Sequence, residues 1–246
     1  MGNLVNFAIT AHVAATVGAD IALRIDDIDA RRTRPQFVAD IFDALAWLDL
    51  PWQIGPRNVA ELSTWSQAAR HEQYASAREA LQDAGAVYAC SCSRSDWVNY
   101  EGQNCPGECA RNAVPFVPGQ TCLRLDHPGL RQTTVWRRDD VPAYHLSSVV
   151  DDDQLGVDIV VRGEDLLPST HVQKLLSEYL PNNSFKDAVV IHHKLVTDAA
   201  GGKLSKSAGH GAQPLPRTPH TREAIDAGVR LMLATTPDLQ PQNRES

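Results

Sequence analysis

The 246-residue chain contains no stretch near the roughly 20 consecutive apolar residues that a membrane-crossing helix needs. Positive charge is also scarce. Lys and Arg total 23 against 30 Asp and Glu, for a net charge of -7 and a pI near 5.7. That excludes a protein holding nucleic acid through a general excess of basic charge; an RNA partner would need a local basic surface. Internal repeats and low-complexity runs are missing, which excludes solenoids and collagen-like chains. Five cysteines are too few for a disulfide-dense miniprotein of this length. The opening Met1-Gly2-Asn3-Leu4 has neither the charged leader nor the apolar core of a signal peptide, and Asn6 stands where myristoylation would want Ser or Thr. The expectation is a soluble cytoplasmic protein with no membrane partner.

What is present alternates between helix and strand signals. Leu4 to Val17 is small and apolar and predicts a packed helix ended by Gly18, and Ile21–Ile25 reads as a short buried strand closing in the acidic turn Asp26-Asp27-Ile28-Asp29. After Pro35, the residues Phe37, Val38, Ile41, Phe42, Leu45 and Leu48 recur at three- and four-residue steps, an amphipathic helix. A further helix is expected from Gln67 to Gln82, stopped by Gly85. Residues 90–135 are rich in Gly, Pro, Cys and polar side chains with weak periodicity and read as an insertion. Regular signals return at Ala143–Val150 and in a strand over Asp158–Arg162. A helix capped by Ser169 or Thr170 follows, with Val172, Leu175, Leu176, Tyr179 and Leu180 on its apolar face. Ala188–Ile191 is another strand, and Arg222–Leu233 a last helix. The alternation predicts an α/β fold with a parallel sheet, where ligands bind beyond the carboxyl ends of strands.

Two patterns carry chemistry. Cys90, Cys92, Cys105 and Cys109 fall within twenty residues, and four thiolates so spaced suit a tetrahedral structural Zn2+; the bland alternative is unconnected loop thiols. Cys122 stands apart and reads as an ordinary buried thiol. The loop Gly201-Gly202-Lys203-Leu204-Ser205-Lys206-Ser207 sets two amines three residues apart on a glycine-started backbone. It can close on a polyphosphate and neutralise a departing leaving group, or it can be a solvated surface loop. Arg162, at a strand end, offers a guanidinium for a bidentate carboxylate pair, or simply a surface pair with Glu164. His192-His193-Lys194 follows a strand and receives no site role. Arg31, Arg32 and Arg34 fit RNA phosphates or a solvated charge run.

The order of these pieces resembles the class I glutamyl-tRNA synthetase family. The residues that carry it are Gly2-Asn3-Leu4, Leu23 to Asp29, Tyr88 to Cys109, Ala143 to Asp152, Gly156 to Thr170 and Lys203 to Ser207. Within the family the match is closer to the short glutamyl-Q tRNA(Asp) branch, since only about 40 residues follow Ser207, too few for an anticodon-binding domain of ordinary size. The resemblance implies a Rossmann-like parallel sheet of the class I type with a zinc-containing insertion. The chain would start inside the family's first signature, with the first strand, its substrate-binding Arg and the leading His missing. The implied layout is 1–89 and 136–212 as two halves of the catalytic domain, 90–135 as the zinc-binding insertion and 213–246 as a helical tail.

The implied reaction is activation of L-glutamate by ATP to glutamyl-adenylate, then transfer to the queuosine of tRNA(Asp), with Mg2+ accompanying ATP and a monomer as the expected state. Lys203 and Lys206 take the catalytic role, and Gly2, Asn3, Lys203, Leu204, Ser205 and Lys206 the ATP contacts. Glutamate falls to Asp26, Tyr144, Ser148 and Arg162. Asp26 stands where the family usually has Glu, one methylene longer, and Cys105 where the short branch often has Tyr. Two other readings stay open: a catalytically degraded zinc-containing ligand-binding paralogue, and a glutamate-activating enzyme whose acceptor is not tRNA.

Overall fold

The structure, a computed structural model, describes residues 2–29, 35–93, 96, 108–130, 133–195 and 216–236. Its elements are, in order, α1 (Gly2–Val17), α2 (Pro35–Trp47), α3 (Leu62–Trp65), α4 (His71–Asp83), β1 (Val87–Cys90), α5 (Glu108–Arg111), β2 (Cys122–Leu125), β3 (Thr134–Trp136), α6 (Tyr144–Gln154), β4 (Ile159–Gly163), α7 (Leu167–Tyr179), β5 (Val189–His193) and α8 (Pro219–Thr235). They form two compact units, one of Met1–Ser66, Ile159–Pro168 and Ala188–Ser246, the other of Gln67–Asp158 and Ser169–Asp187.

In the first unit β4 and β5 pair in parallel, with Val161 opposite Ile191 and Arg162 opposite His192. Buried Val5, Ile9 and Val13 recur every four residues along α1 and lay one stripe against Val161, Ile191, Ile225 and Met232. Gly228 of α8 lets the two helices close up: a Cβ there would meet Val5 Cγ2 at 3.1 Å. Gly18, at φ +71°, ends α1 where a left-handed residue lets Ala19 N–H reach back to Ala14 O at 2.9 Å. The expected strand Ile21–Ile25 is instead an extended segment with, among the described residues, a single parallel bridge, Ala22 to Ile54. Leu23 N–H donates to Ile54 O and Gln53 N–H to Ile21 O, so the ladder stops after a few bonds. Gly55 makes this approach possible, since a Cβ on it would lie 2.2 Å from Leu23 O. The periodicity of α2 holds for Val38, Leu45 and Leu48, but Phe37 in its first turn is 43% exposed.

The second unit carries an antiparallel sheet in the order β1-β2-β3, with Tyr88 opposite Arg124 and Cys90 opposite Cys122. The weakly periodic stretch 90–135 therefore contains α5, β2 and the start of β3. β2 is buried along its whole length, Arg124 included, and a charged residue in the sequence does not announce that burial. The helix expected from Gln67 winds first as a tighter 3-10 turn, Gln67–Arg70, before α4 begins. Gly85 ends α4 at φ +67°, with Ala86 N–H bonded to Leu81 O. α7 starts at Leu167, with Pro168 in its first turn, so Ser169 and Thr170 lie inside the helix and do not cap it. Tyr179, placed on the apolar face by its spacing, is exposed.

Candidate functional site

β1 ends on Cys90, the chain turns through Ser91 and Cys92, and the one-turn helix α5 returns Cys109 to the same spot. The sulfurs of Cys90, Cys92 and Cys109 all lie within 4.8 Å of one another, with Cys92 and Cys109 3.6 Å apart. Tetrahedral ligation at a Zn–S distance of about 2.3 Å would set sulfurs about 3.8 Å apart. These soft donors at this spacing can hold a metal ion. Arg138 Nη2 donates to the carbonyls of Ser91 (2.9 Å) and Cys92 (3.4 Å) and so fixes the turn that presents the thiols. Cys105, the expected fourth ligand, lies outside the described residues.

Cys122 is buried as expected but is no ordinary thiol. It faces Cys90 across β1 and β2, its Sγ 3.5 Å from Cys90 O. The Cys90 thiol is pushed well above the usual thiol range by its hydrogen bond to Cys122 and then by burial. The Cys122 thiol falls to about 6, drawn down first by that same bond and then, against burial, by the charges of Arg124 and Arg138. Arg124, two residues along β2 and almost fully buried, is held in its charged form by the neighbouring sulfurs in spite of its burial. Sequence spacing missed this pair because 32 residues separate its members and only strand register joins them.

The residues expected to contact glutamate divide between the two units. Arg162, near the carboxyl end of β4, is 7% exposed. Asp26 follows the extended segment and accepts from Arg24 Nε at 2.7 Å. Both belong to the first unit. In the second, Tyr144 opens α6 with 40% of its surface exposed and its ring edge-on to His145 at 5.6 Å. Ser148, one turn on, is buried; its hydroxyl donates to His145 O and accepts from Gln173 Nε2 of α7. Gly2 and Asn3 form the first turn of α1, where N–H groups without helical partners suit an anion. Lys203, Leu204, Ser205 and Lys206 lie outside the described residues, as do Arg31, Arg32 and Arg34.

Two further constellations emerged that the sequence pattern did not mark. Asp151 of α6, fully buried, accepts from Gln67 Nε2 (2.8 Å), Arg70 Nε (2.8 Å) and Tyr74 Oη (2.5 Å). Burial and then this bond to the carboxylate raise the Tyr74 hydroxyl well above its ordinary range. The node locks α6, which carries Tyr144 and Ser148, onto α4. In the first unit, buried His193 lies with Nδ1 2.7 Å from Lys194 O and Nε2 3.0 Å from Asn6 Oδ1, tying the end of β5 to α1. The run Asp151-Asp152-Asp153 was visible in the sequence; which of the three turns inward was not.

The profile of the family described as tRNA synthetases class I (E and Q), catalytic domain, matches residues 2–113 and 120–239. The Glutamyl-Q tRNA(Asp) synthetase of Rhodobacter capsulatus is 34% identical over an alignment covering 81% of this chain and 84% of the relative. The protein of the same name from Nitratidesulfovibrio vulgaris is 30% identical, with 84% and 73% covered. A solved glutamate-tRNA synthetase from Elizabethkingia anophelis superposes with a TM-score of 0.69 at 21% identity, covering 89% of this chain, and shares the fold. The chain spans about half the length of that solved protein, 53%. No helix among the described residues is long and apolar enough to cross a membrane.

Proposed function

We propose that this chain, which belongs to the class I tRNA synthetase (E and Q) family, activates L-glutamate with ATP and transfers the glutamyl group to the queuosine of tRNA(Asp). The observation that carries the reading is the similarity to two proteins named Glutamyl-Q tRNA(Asp) synthetase along most of their own length as well as of this chain. A carboxylate oxygen of glutamate attacks the α-phosphorus of ATP, the bond to the β-phosphate oxygen breaks, and pyrophosphate leaves. A hydroxyl of the RNA then takes the acyl group and AMP departs.

The protein's part in this is positioning and charge. Arg162 is suited to the side-chain carboxylate of glutamate: burial on β4 strips water from the guanidinium, which strengthens a bidentate pair. Asp26 takes the ammonium group, and Tyr144 offers its exposed ring and hydroxyl from the first turn of α6. Ser148, held by Gln173, supports the helix from within. The first-turn N–H groups at Gly2 and Asn3 meet phosphate, and Lys203 and Lys206 neutralise the leaving pyrophosphate. Mg2+ would screen the same phosphates. Cys90, Cys92 and Cys109, with Cys105, hold a structural Zn2+ that ties α5 to the end of β1.

The test is glutamate-dependent exchange of pyrophosphate into ATP, followed by transfer to tRNA(Asp) with and without queuosine. Arg162→Ala is expected to abolish exchange, and Arg162→Lys to raise the KM for glutamate far more than that for ATP, because an ammonium loses the bidentate geometry. Absence of exchange by the parent chain overturns activation. Exchange with no dependence on queuosine in the transfer step overturns only the acceptor.

A further inference from the structure

We propose that Cys90 has two mutually exclusive partners: the metal held with Cys92 and Cys109, and Cys122, with which it forms a cross-strand disulfide on oxidation. The cysteine centre is then a site of reversible oxidative modification. Cys90 and Cys122 are direct partners in the antiparallel register of β1 and β2. Asp126 N–H donates to Ala86 O, so in this register Cys90 and Cys122 form a hydrogen-bonded pair, whose Cα atoms lie about 5.5 Å apart, inside the range of about 4.4–6.8 Å that a disulfide bridges. Both cysteines are free and buried, in one cluster with Tyr88 and Cys109. Burial selects a small oxidant such as hydrogen peroxide over a bulky disulfide.

The chemistry balances on these two thiols. Peroxide oxidises one to a sulfenic acid and leaves as water. The other sulfur attacks it, the S–S bond forms, and the hydroxyl departs with the second thiol's proton as a second water. Two electrons pass from the sulfurs to peroxide, and a small thiol reverses the bond by exchange. A sulfur in a disulfide is no longer a thiolate, so closing Cys90–Cys122 withdraws Cys90 from the metal. The disulfide stands on the register alone; its consequence for the metal rests on the zinc reading above.

The experiment uses the folded full chain, its zinc first measured with a chromophoric chelator. Hydrogen peroxide is then added, free thiols are blocked, and linked peptides are mapped by mass spectrometry. The expected result is a Cys90–Cys122 peptide that grows in step with zinc release and disappears with a reducing thiol. Cys122→Ser, with Cys122→Ala as a second variant checked for native circular dichroism, keeps its zinc several-fold longer under the same peroxide. Linkage of Cys92 to Cys109, or of either to Cys105, with none between Cys90 and Cys122, overturns the proposal, as does zinc loss from both variants at the parent's rate. A chain that holds no zinc at the outset overturns the zinc reading, while the mapped bond still decides the disulfide.

Discussion

In the unit built on α1, α8 and the β4–β5 pair, the main cluster is Val5, Ile9, Val13, Val161, Ile191, Ile225 and Met232, apolar side chains with no demand for polar partners, although the same unit also buries Arg162 and His193. The other unit keeps apolar residues as well, Trp136, Leu81 and Leu146 among them, but threads polar and sulfur groups through its interior. Asp151 gathers three donors, Ser177 and Asn183 bond each other, and Cys90, Cys109 and Cys122 cluster around the end of β1. The aliphatic interior draws on burial, which is non-directional and indifferent to pH and redox state. The polar one draws on satisfied partners, each of which fails abruptly when one member is lost. The apolar cluster of one unit is thus indifferent to changes of charge that the polar interior of the other must answer.

The sharpest way to break that contrast is Asp151→Ala. It leaves the partly buried Arg70 guanidinium and the buried Tyr74 hydroxyl without their acceptor and should cost about 3 kcal/mol, as measured by urea unfolding. Amide exchange should rise over α4 and α6 and stay unchanged over α1 and α8. If all four helices lose protection together, the two units do not respond separately and the contrast falls.

Ile9→Val is the matched probe of the aliphatic interior. Removing one methylene should cost about 0.5–1.5 kcal/mol, with exchange rising over α1 and α8 and no dependence on pH between 6 and 9.

The third probe is the pH response of the metal-free protein. The Cys122 thiol lies near 6 when folded, against an ordinary value of 9.0. Its contribution is therefore complete above the unfolded value and lost as pH falls through 6. Cys90, shifted upward, contributes below its ordinary value and loses that contribution as the solution turns more alkaline. Stability of the metal-free chain should accordingly rise from pH 6 towards pH 9, and Cys122→Ser should flatten the rise. An unchanged slope in the variant would assign the pH response to other groups.

Much of the helical framework was legible because amphipathic spacing reports burial directly. Val38 and Leu45 in α2 and Val172 and Leu176 in α7 are buried where their periodicity put them. The exceptions, Phe37 and Tyr179, stand near helix ends, where one apolar residue more or less does not alter the stripe. Strands were less legible. Ile21–Ile25 has the composition of a strand, but a strand exists only with a partner, and among the described residues the segment finds one bridge. β2 was missed for a different reason: it is four residues long and buried on both faces, and its buried Arg124 reads in the sequence as an exposed position.

The same division runs through the candidate site. Clustered cysteines announce a thiol centre from spacing alone, and three of them converge. Arg162 announces itself as a charge at a strand end, whereas Tyr144 is marked only by the family resemblance. That Asp151 turns inward to residues 77 to 84 positions away, or that Cys122 faces Cys90 rather than solvent, has no local signature. Local propensity and periodicity reach only as far as one element, so the chain's order of residues settles its helices and its stock of reactive groups. Which groups meet is settled by strand register and helix packing across distant segments, because a hydrogen bond or a thiol pair depends on ångströms that no sequence interval encodes.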